Sequence, residues 1–283
     1  MTGPIEIRAS HPGWDNQWVT LDFGHYPAGE PYVKDVPYGA DRGFDLLVRT
    51  ADIGVLNEAL MFVDAMKWRH GDIPVELHLP HFPGARQDRL NADGDLLFTA
   101  KSVANMINQR GFRVVYVVDP HSEVLTALVD NVRVVTALDC LVSCTDAQIK
   151  GRWAGIIAPD GGAEKRALQV ATYLNIPLYQ AWKNRDVATG KIAGFGCQEI
   201  PPSDKPYLVV DDLCDGGGTF MGLAGVVADG VTLDLYVSHG LFTKGIETLA
   251  LAFSEIYTTD SIVLVPADAV CIEVARHLKE IQR

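Results

Sequence analysis

An α/β fold built on mostly parallel sheets is predicted by three features of the sequence. Residues 44–49, 75–79, 114–118, 155–158 and 207–210 read as strands, and 114–118 and 207–210 have the continuous apolar character of strands buried on both faces. Segments of helical spacing alternate with them, as in folds that cover a parallel sheet with helices. Several runs also end in acids, His or Gly, at the strand edge where open α/β sheets bind ligands. Two similar units are expected, residues 1–137 and 138–283, each a mostly parallel sheet flanked by helices, with the last helix free to pack on the first unit.

Residues 5–36 read as β structure: 18–23 alternate, and 32–36 follow a turn at Pro27, Ala28 and Gly29. After the strand at 44–49, Leu56, Leu60, Val63 and Met66 repeat at helical spacing and predict a helix over 57–69. The strand at 75–79 runs into Arg86, Gln87, Asp88 and Arg89, and a helix at 99–109 stops before Gly111. The strand at 114–118 ends in Asp119, Pro120, His121 and Ser122. In the second unit, 155–158 end in Pro159, Asp160, Gly161 and Gly162, followed by a helix at 164–174 and a strand at 178–182 that enters Lys183, Asn184 and Arg185. Residues 186–206 hold Gly190, Gly194, Gly196, Pro201 and Pro202 and read as a loop too long for a plain connector. A strand at 207–210, a helix at 220–227, a strand at 232–237 before His239 and Gly240, and an amphipathic helix at 269–281 complete the chain. Residues 114–119 and 207–211 echo each other, which suggests a duplicated domain.

Composition narrows the function. The 283 residues carry a net charge of -12 with no basic block, which argues against nucleic-acid binding and requires any highly anionic substrate to meet locally concentrated Lys and Arg. Five Cys, an odd number, and no recognisable leader read as reduced thiols in a cytoplasmic protein, and no apolar run reaches membrane-spanning length.

The chemistry concentrates between Tyr207 and Thr219. Asp211 and Asp212 follow an apolar strand and suit sugar hydroxyls. Asp215, Gly216, Gly217, Gly218 and Thr219 come next, where three glycines let the backbone turn several N–H groups toward one anion and Thr219 adds a hydroxyl. Acids beside anion-binding amides describe a pocket for a ribose 5-phosphate group.

This stretch resembles the phosphoribosyl-binding loop of type I phosphoribosyltransferases and of ribose-phosphate pyrophosphokinases. Arg86-Gln87-Asp88-Arg89, Asp119-Pro120-His121, Pro159-Asp160-Gly161-Gly162 and Lys183-Asn184-Arg185 are similar, in the same order, to the ATP-side motifs of the pyrophosphokinases, and the resemblance covers about residues 44–245. It implies two domains of type I phosphoribosyltransferase-like fold. The implied reaction transfers the diphosphate of Mg-ATP to the 1-hydroxyl of a ribose 5-phosphate group and releases AMP. In the implied site Lys183 and Arg185 neutralise the transferring group, and Arg86, Gln87, Asp88 and His121 bind ATP. Asp211 and Asp212 hold the ribose hydroxyls, Asp215 takes or orients the 1-hydroxyl proton, and residues 216–219 hold the 5-phosphate. His121 and Asp160 line the Mg2+ region, and imidazole suits phosphate better than it suits magnesium. Residues 186–198 would close as a lid.

The departures shape these expectations. The family's adenine-stacking segment survives only as Tyr26-Pro27-Ala28-Gly29-Glu30, where Tyr26 replaces the stacking Phe, Glu30 is retained and the middle acid has become Ala28, and Gly216 stands where the family usually has Thr, which is expected to widen the pocket mouth. The acceptor is accordingly ribose 5-phosphate or a larger compound with a 5-phosphoribosyl end, such as ADP-ribose. A homo-oligomer, dimer or hexamer, is implied. Two other readings stay open: a phosphoribosyltransferase, which leaves Arg86, Gln87, Lys183 and Arg185 unexplained, and a non-catalytic regulatory relative, against which the retained Lys183, Arg185 and acidic loop speak.

Overall fold

The structure is a computed structural model that describes residues 6–11, 17–34, 42–90, 97–185, 192–262, 265–275 and 278; the side chains of 144–148, 184–185 and 192–193 lie outside the description. The chain divides into two compact units. One comprises Met1–Val135, Ser261–Leu264 and Val274–Arg283, the other Thr136–Asp260 and Val265–Glu273. The break falls where Thr136 caps a helix: its hydroxyl accepts from the Asp139 N–H at 3.1 Å, and Asp139 Oδ2 accepts from the Thr136 N–H at 2.8 Å. This reciprocal box starts the second unit two residues before the expected boundary.

The first unit contains β1 (Glu6–Ser10), β2 (Val19–Thr20), β3 (Asp22–His25), β4 (Pro31–Lys34), β5 (Phe44–Arg49), α1 (Ile53–His70), β6 (Val75–His78), α2 (Thr99–Asn108), β7 (Val114–Val118), α3 (Val124–Leu128) and β8 (Val132–Val135). Its main sheet runs β2-β1-β5-β6-β7-β8, parallel from β5 to β8 with β1 antiparallel to β5. The hairpin β3–β4 stands apart from this sheet and is tied to α1 by His25 Nε2 and Glu58 Oε1 at 2.8 Å. Leu46, Leu56, Leu60, Val63, Leu77, Ile107 and Val117, all buried, form the core, so the helical spacing read at Leu56, Leu60 and Val63 is the buried stripe of α1.

The second unit contains α4 (Ala137–Ile149), β9 (Gly155–Ala158), α5 (Glu164–Leu174), β10 (Leu178–Arg185), β11 (Ile192–Cys197), β12 (Tyr207–Cys214), α6 (Gly218–Ala224), β13 (Leu233–Gly240), α7 (Glu247–Ala250), β14 (Ile256–Thr259) and β15 (Val270–Ile272). Its sheet runs β11-β10-β9-β12-β13-β14-β15 and is parallel except for β11.

Two expectations are corrected here. Part of the segment read as loop is β11, antiparallel to β10 with a register shift at Asn184/Arg185. Of its glycines, taken as loop signals, Gly196 serves packing: a Cβ there would meet the Trp182 ring at 2.5 Å, and Phe195 in turn fills the space a Cβ on Gly222 of α6 would take. The expected helix over 269–281 begins instead as β15, whose Val270, Cys271 and Ile272 pair with β14 and cover an open sheet edge; residues 276–277 and 279–283 lie outside the described residues.

Candidate active site

In the second unit, β12 extends four residues beyond the apolar run, so Asp211 and Asp212 lie within the strand and pairing with β13 continues to Cys214↔Gly240. Arg166, in the first turns of α5, reaches both acids: Nη1 lies 3.3 Å from Asp211 Oδ1 and 3.7 Å from Asp212 Oδ1. All three side chains are nearly buried, at 10%, 13% and 7% exposure for Arg166, Asp211 and Asp212. Burial first, and the Asp212 carboxylate second, push the Asp211 carboxyl well above the usual range despite Arg166. The Asp212 N–H also donates to Asp211 Oδ1 at 2.8 Å, which orients that carboxylate.

The loop after β12 is clamped by the segment after β13. The Cys214 carbonyl accepts from the N–H groups of Leu241 and Phe242, and the Asp215 carbonyl accepts from Thr243 N–H at 3.0 Å. Thr243 Oγ1 donates to Asp215 Oδ1 at 2.6 Å. Gly217 has φ of +76°, which favours glycine, and a Cβ there would also meet Leu249 at 3.1 Å. Gly218 and Thr219 open α6 directly behind. Cys214 is buried, its thiol pushed up to about 12 by desolvation, so it is an inert core group rather than a nucleophile.

After β9, Asp160 Oδ1 accepts from the Gly162 and Ala163 N–H groups at 2.9 and 3.3 Å, the Asx turn that its Gly-Gly sequence permits. Its Oδ2 accepts from Lys183 Nζ at 2.7 Å. Burial alone would raise this carboxyl, but the Lys183 hydrogen bond and charge, with the two amides, hold it below the usual range. Lys183 is largely buried on β10, at 17% exposure. Arg185 ends that strand, opposite Ile192, and its side chain lies outside the description.

In the first unit, Arg86, Gln87 and Asp88 follow β6, and His121 follows β7. Arg86, Gln87 and His121 are exposed, whereas Asp88 is buried. Asp88 accepts from Arg89 Nε at 2.9 Å and from Ser122 Oγ at 2.6 Å, bridging the two loops. Against the cost of burial, these hydrogen bonds and the nearby charges of Arg89 and His121 hold its carboxyl low. Gln87 accepts from the Thr99 hydroxyl at the start of α2. Asp88 thus serves as a buttress that leaves Arg86 and Gln87 facing outward. On the β3–β4 hairpin, Tyr26 is 59% exposed with its ring 4.9 Å from Tyr32, and the Glu30 carbonyl accepts from the Tyr26 N–H at 2.9 Å.

Within the second unit the structure therefore gathers Asp160 with Lys183, Asp211 with Asp212, and Asp215 with residues 216–219. Arg86, Gln87, Asp88, His121, Tyr26 and Glu30 belong to the first unit. Sequence reasoning assigned no role to Arg166 or Thr243; an Arg four residues beyond an Asp-Gly-Gly turn was the available signal for the former. Neither of the expected metal ligands belongs to the set of closely spaced His, Asp and Glu found among the described residues. That set is Asp45, Glu76 and His78, whose ligand atoms lie within 4.8 Å of one another on the first sheet, with Trp18 and Tyr116 rings packed on His78.

No protein-family model matches the chain. A Streptococcus mutans chain provisionally named ribose-phosphate pyrophosphokinase 2 is 30% identical over 236 residues, covering 78% of this chain and 70% of the relative. The ribose-phosphate pyrophosphokinase of Saccharolobus solfataricus is 28% identical over 199 residues, 69% of this chain and 67% of the relative. The crystal structure of phosphoribosylpyrophosphate synthetase from Mycobacterium smegmatis superposes with a TM-score of 0.77 at 20% identity, covering 95% of this chain and 91% of that one, so the fold is that of two type I phosphoribosyltransferase-like domains. By its sequence identity over most of its length, the chain belongs to the ribose-phosphate pyrophosphokinase family and is a diphosphotransferase enzyme.

Proposed function

We propose that this enzyme transfers the diphosphate of Mg-ATP to the 1-hydroxyl of ribose 5-phosphate. The 1-oxygen attacks the β-phosphorus, the bond from that phosphorus to the oxygen bridging the α-phosphate breaks, and AMP departs with the bonding pair. The single observation that carries this reading is the convergence, in one unit, of a buried carboxylate pair, a lysine and a glycine loop behind parallel strands. Asp211 and Asp212 hold the 2- and 3-hydroxyls, and the N–H groups and Thr219 hydroxyl of residues 216–219 take the 5-phosphate. Asp215, oriented by Thr243, accepts the 1-hydroxyl proton. Lys183 and Arg185 neutralise the charge on the moving group, the main need of a loose phosphoryl transition state. Arg86 and Gln87 bind the triphosphate, where an Arg fork fits phosphate oxygens, with His121 on the phosphates, Asp88 as their support, and Tyr26 and Glu30 toward the base.

The donor set suits magnesium: Asp160, Asp211, Asp212 and Asp215 offer oxygen ligands, which this ion prefers. Bound there, Mg2+ would supply charge neutralisation on the phosphates.

The enzyme works as a homo-oligomer in the cytoplasm under this reading; no described helix is long and apolar enough to cross a membrane. The larger acceptor finds little support, because the space expected beside Gly216 is taken by the Lys244 stem. A screen with Mg-ATP decides the matter. AMP release is expected with ribose 5-phosphate and not with ADP-ribose, and phosphoribosyl diphosphate plus a nucleobase should give no turnover. Absence of AMP with every acceptor would overturn the proposal, and light scattering of the purified protein tests the assembly.

A further inference from the structure

Gly216 breaks the expected pattern of the sugar-phosphate loop, and the structure shows what its missing side chain makes room for. A Cβ built on Gly216 would meet Lys244 Cδ at 3.2 Å, Cε at 3.3 Å and Cγ at 3.5 Å. The aliphatic stem of Lys244 therefore lies close over the backbone of the loop, where the Cβ of a Thr would press on it and push it aside by a few tenths of an ångström. This placement is set by the fold around it. Thr243 is tied to Asp215 by two hydrogen bonds, and Gly245, at φ of +79°, turns back so that its N–H donates to the Phe242 carbonyl at 2.9 Å. Lys244 is thus held at the tip of a tight turn against the loop, while its side chain remains exposed.

Electrostatics says what the ammonium is for. The loop and its strand carry Asp211, Asp212 and Asp215, and Glu247 lies against Gly245. An anionic substrate entering such an acidic setting needs a cation that is not already committed. Arg166 is engaged with Asp211 and Asp212, and Lys183 with Asp160. Among the described residues, no hydrogen bond or ion pair uses the Lys244 ammonium.

We infer that Lys244 is the cation that receives the terminal phosphate of the acceptor, and that it makes the site selective for a phosphomonoester dianion. The inference rests on the ribose 5-phosphate reading above and deepens it. The ammonium replaces a neutral hydroxyl contact with a charge-assisted one, which is stronger for a dianion than for the singly charged phosphates inside a diphosphate bridge. The lysine stem also narrows the mouth that a substrate extended beyond its 5-phosphate would have to pass.

Calorimetric titration of ribose 5-phosphate and of ribose tests this on the wild type, K244A, K244R and G216T, alongside the KM for each substrate. K244A is expected to weaken ribose 5-phosphate binding by about tenfold or more and to raise its KM more than that of ATP. It should also reduce the preference for ribose 5-phosphate over ribose and over ADP-ribose, and K244R should recover most of the loss. G216T should weaken binding where Lys244 is present and recover part of the loss in the K244A background, where its hydroxyl has room. Ribose 5-phosphate affinity in K244A within twofold of wild type would overturn the inference, as would a G216T effect identical in both backgrounds. The two readings fail separately. A wild type that binds ribose 5-phosphate through Lys244 yet releases no AMP defeats only the reaction, whereas normal AMP release with an indifferent K244A defeats only the role of Lys244.

Discussion

The two units set opposite electrostatics in the loops that follow their parallel strands. In the first, the acid is the buried member: Asp88 is locked by Arg89 and Ser122 with its carboxyl held low, and Arg86 and Gln87 are left facing outward. In the second, the cations are largely buried among acids: Arg166 lies between Asp211 and Asp212, and Lys183 against Asp160. One architecture thus exposes basic and amide side chains in one unit and buries basic ones among acids in the other, which the proposed reaction would use for phosphates and for the sugar.

The largest expected effect comes from Lys183, the cation that the proposed reaction places on the moving group. K183A should lower AMP formation by roughly 100-fold or more, read as kcat with saturating ribose 5-phosphate, because a preorganised charge on the moving group is lost.

R166M comes next, since it strips the counter-charge from a buried acid pair that burial already disfavours. An increase in the KM for ribose 5-phosphate on the order of tens of fold is expected, with R166K intermediate. The pH profile separates this from simple misfolding: without Arg166 the acids ionise less readily, so the acid limb of kcat/KM should move to higher pH.

D88N sharpens the first half of the comparison. Losing charge at a buried acceptor that holds two loops together costs about 1–3 kcal/mol. A lower Tm and a KM for ATP raised several-fold should appear together, with the KM for ribose 5-phosphate little changed.

The smallest effect is the most diagnostic of strain. The Asp211 carboxyl is raised in the folded protein, so between the ordinary carboxylate range and its folded pKa the native state binds more protons than the unfolded chain. Stability then falls as pH rises through that window. D211N removes this loss. It should raise Tm at pH 7 by a few degrees, on a scale of roughly 2–4 °C per kcal/mol, and the gain should vanish near pH 4, while ribose 5-phosphate turnover is lost. A lower Tm for D211N at pH 7 would mean that Arg166 already satisfies the acid.

Much of this was legible in the chain. β9 and α5 fall at the residues that periodicity and the Asp-Gly-Gly turn indicate, and Asp160 and Asp215 follow their strands as read, whereas Lys183 and Asp211, expected just past a strand end, lie within the longer β10 and β12. The echo between residues 114–119 and 207–211 falls on β7 and β12, both interior strands of a parallel sheet. β7 is third in the parallel run β5-β6-β7-β8, and β12 is third in β10-β9-β12-β13-β14-β15. β11 was hidden because Gly194 and Gly196 look like loop residues, and only the fold shows that Trp182 takes the space beside Gly196.

The sequence by itself determined the alternation of elements, the strand-end acids and the glycine loop, because each depends on residues close together in the chain. Only the tertiary structure decided that Arg166 faces the Asp211–Asp212 pair, that Asp88 is a buried support and that Lys244 fills the place beside Gly216. Those contacts join residues 28 to 46 positions apart. Their energies come from desolvation and Coulomb interaction at short range, quantities that exist only once the chain has folded.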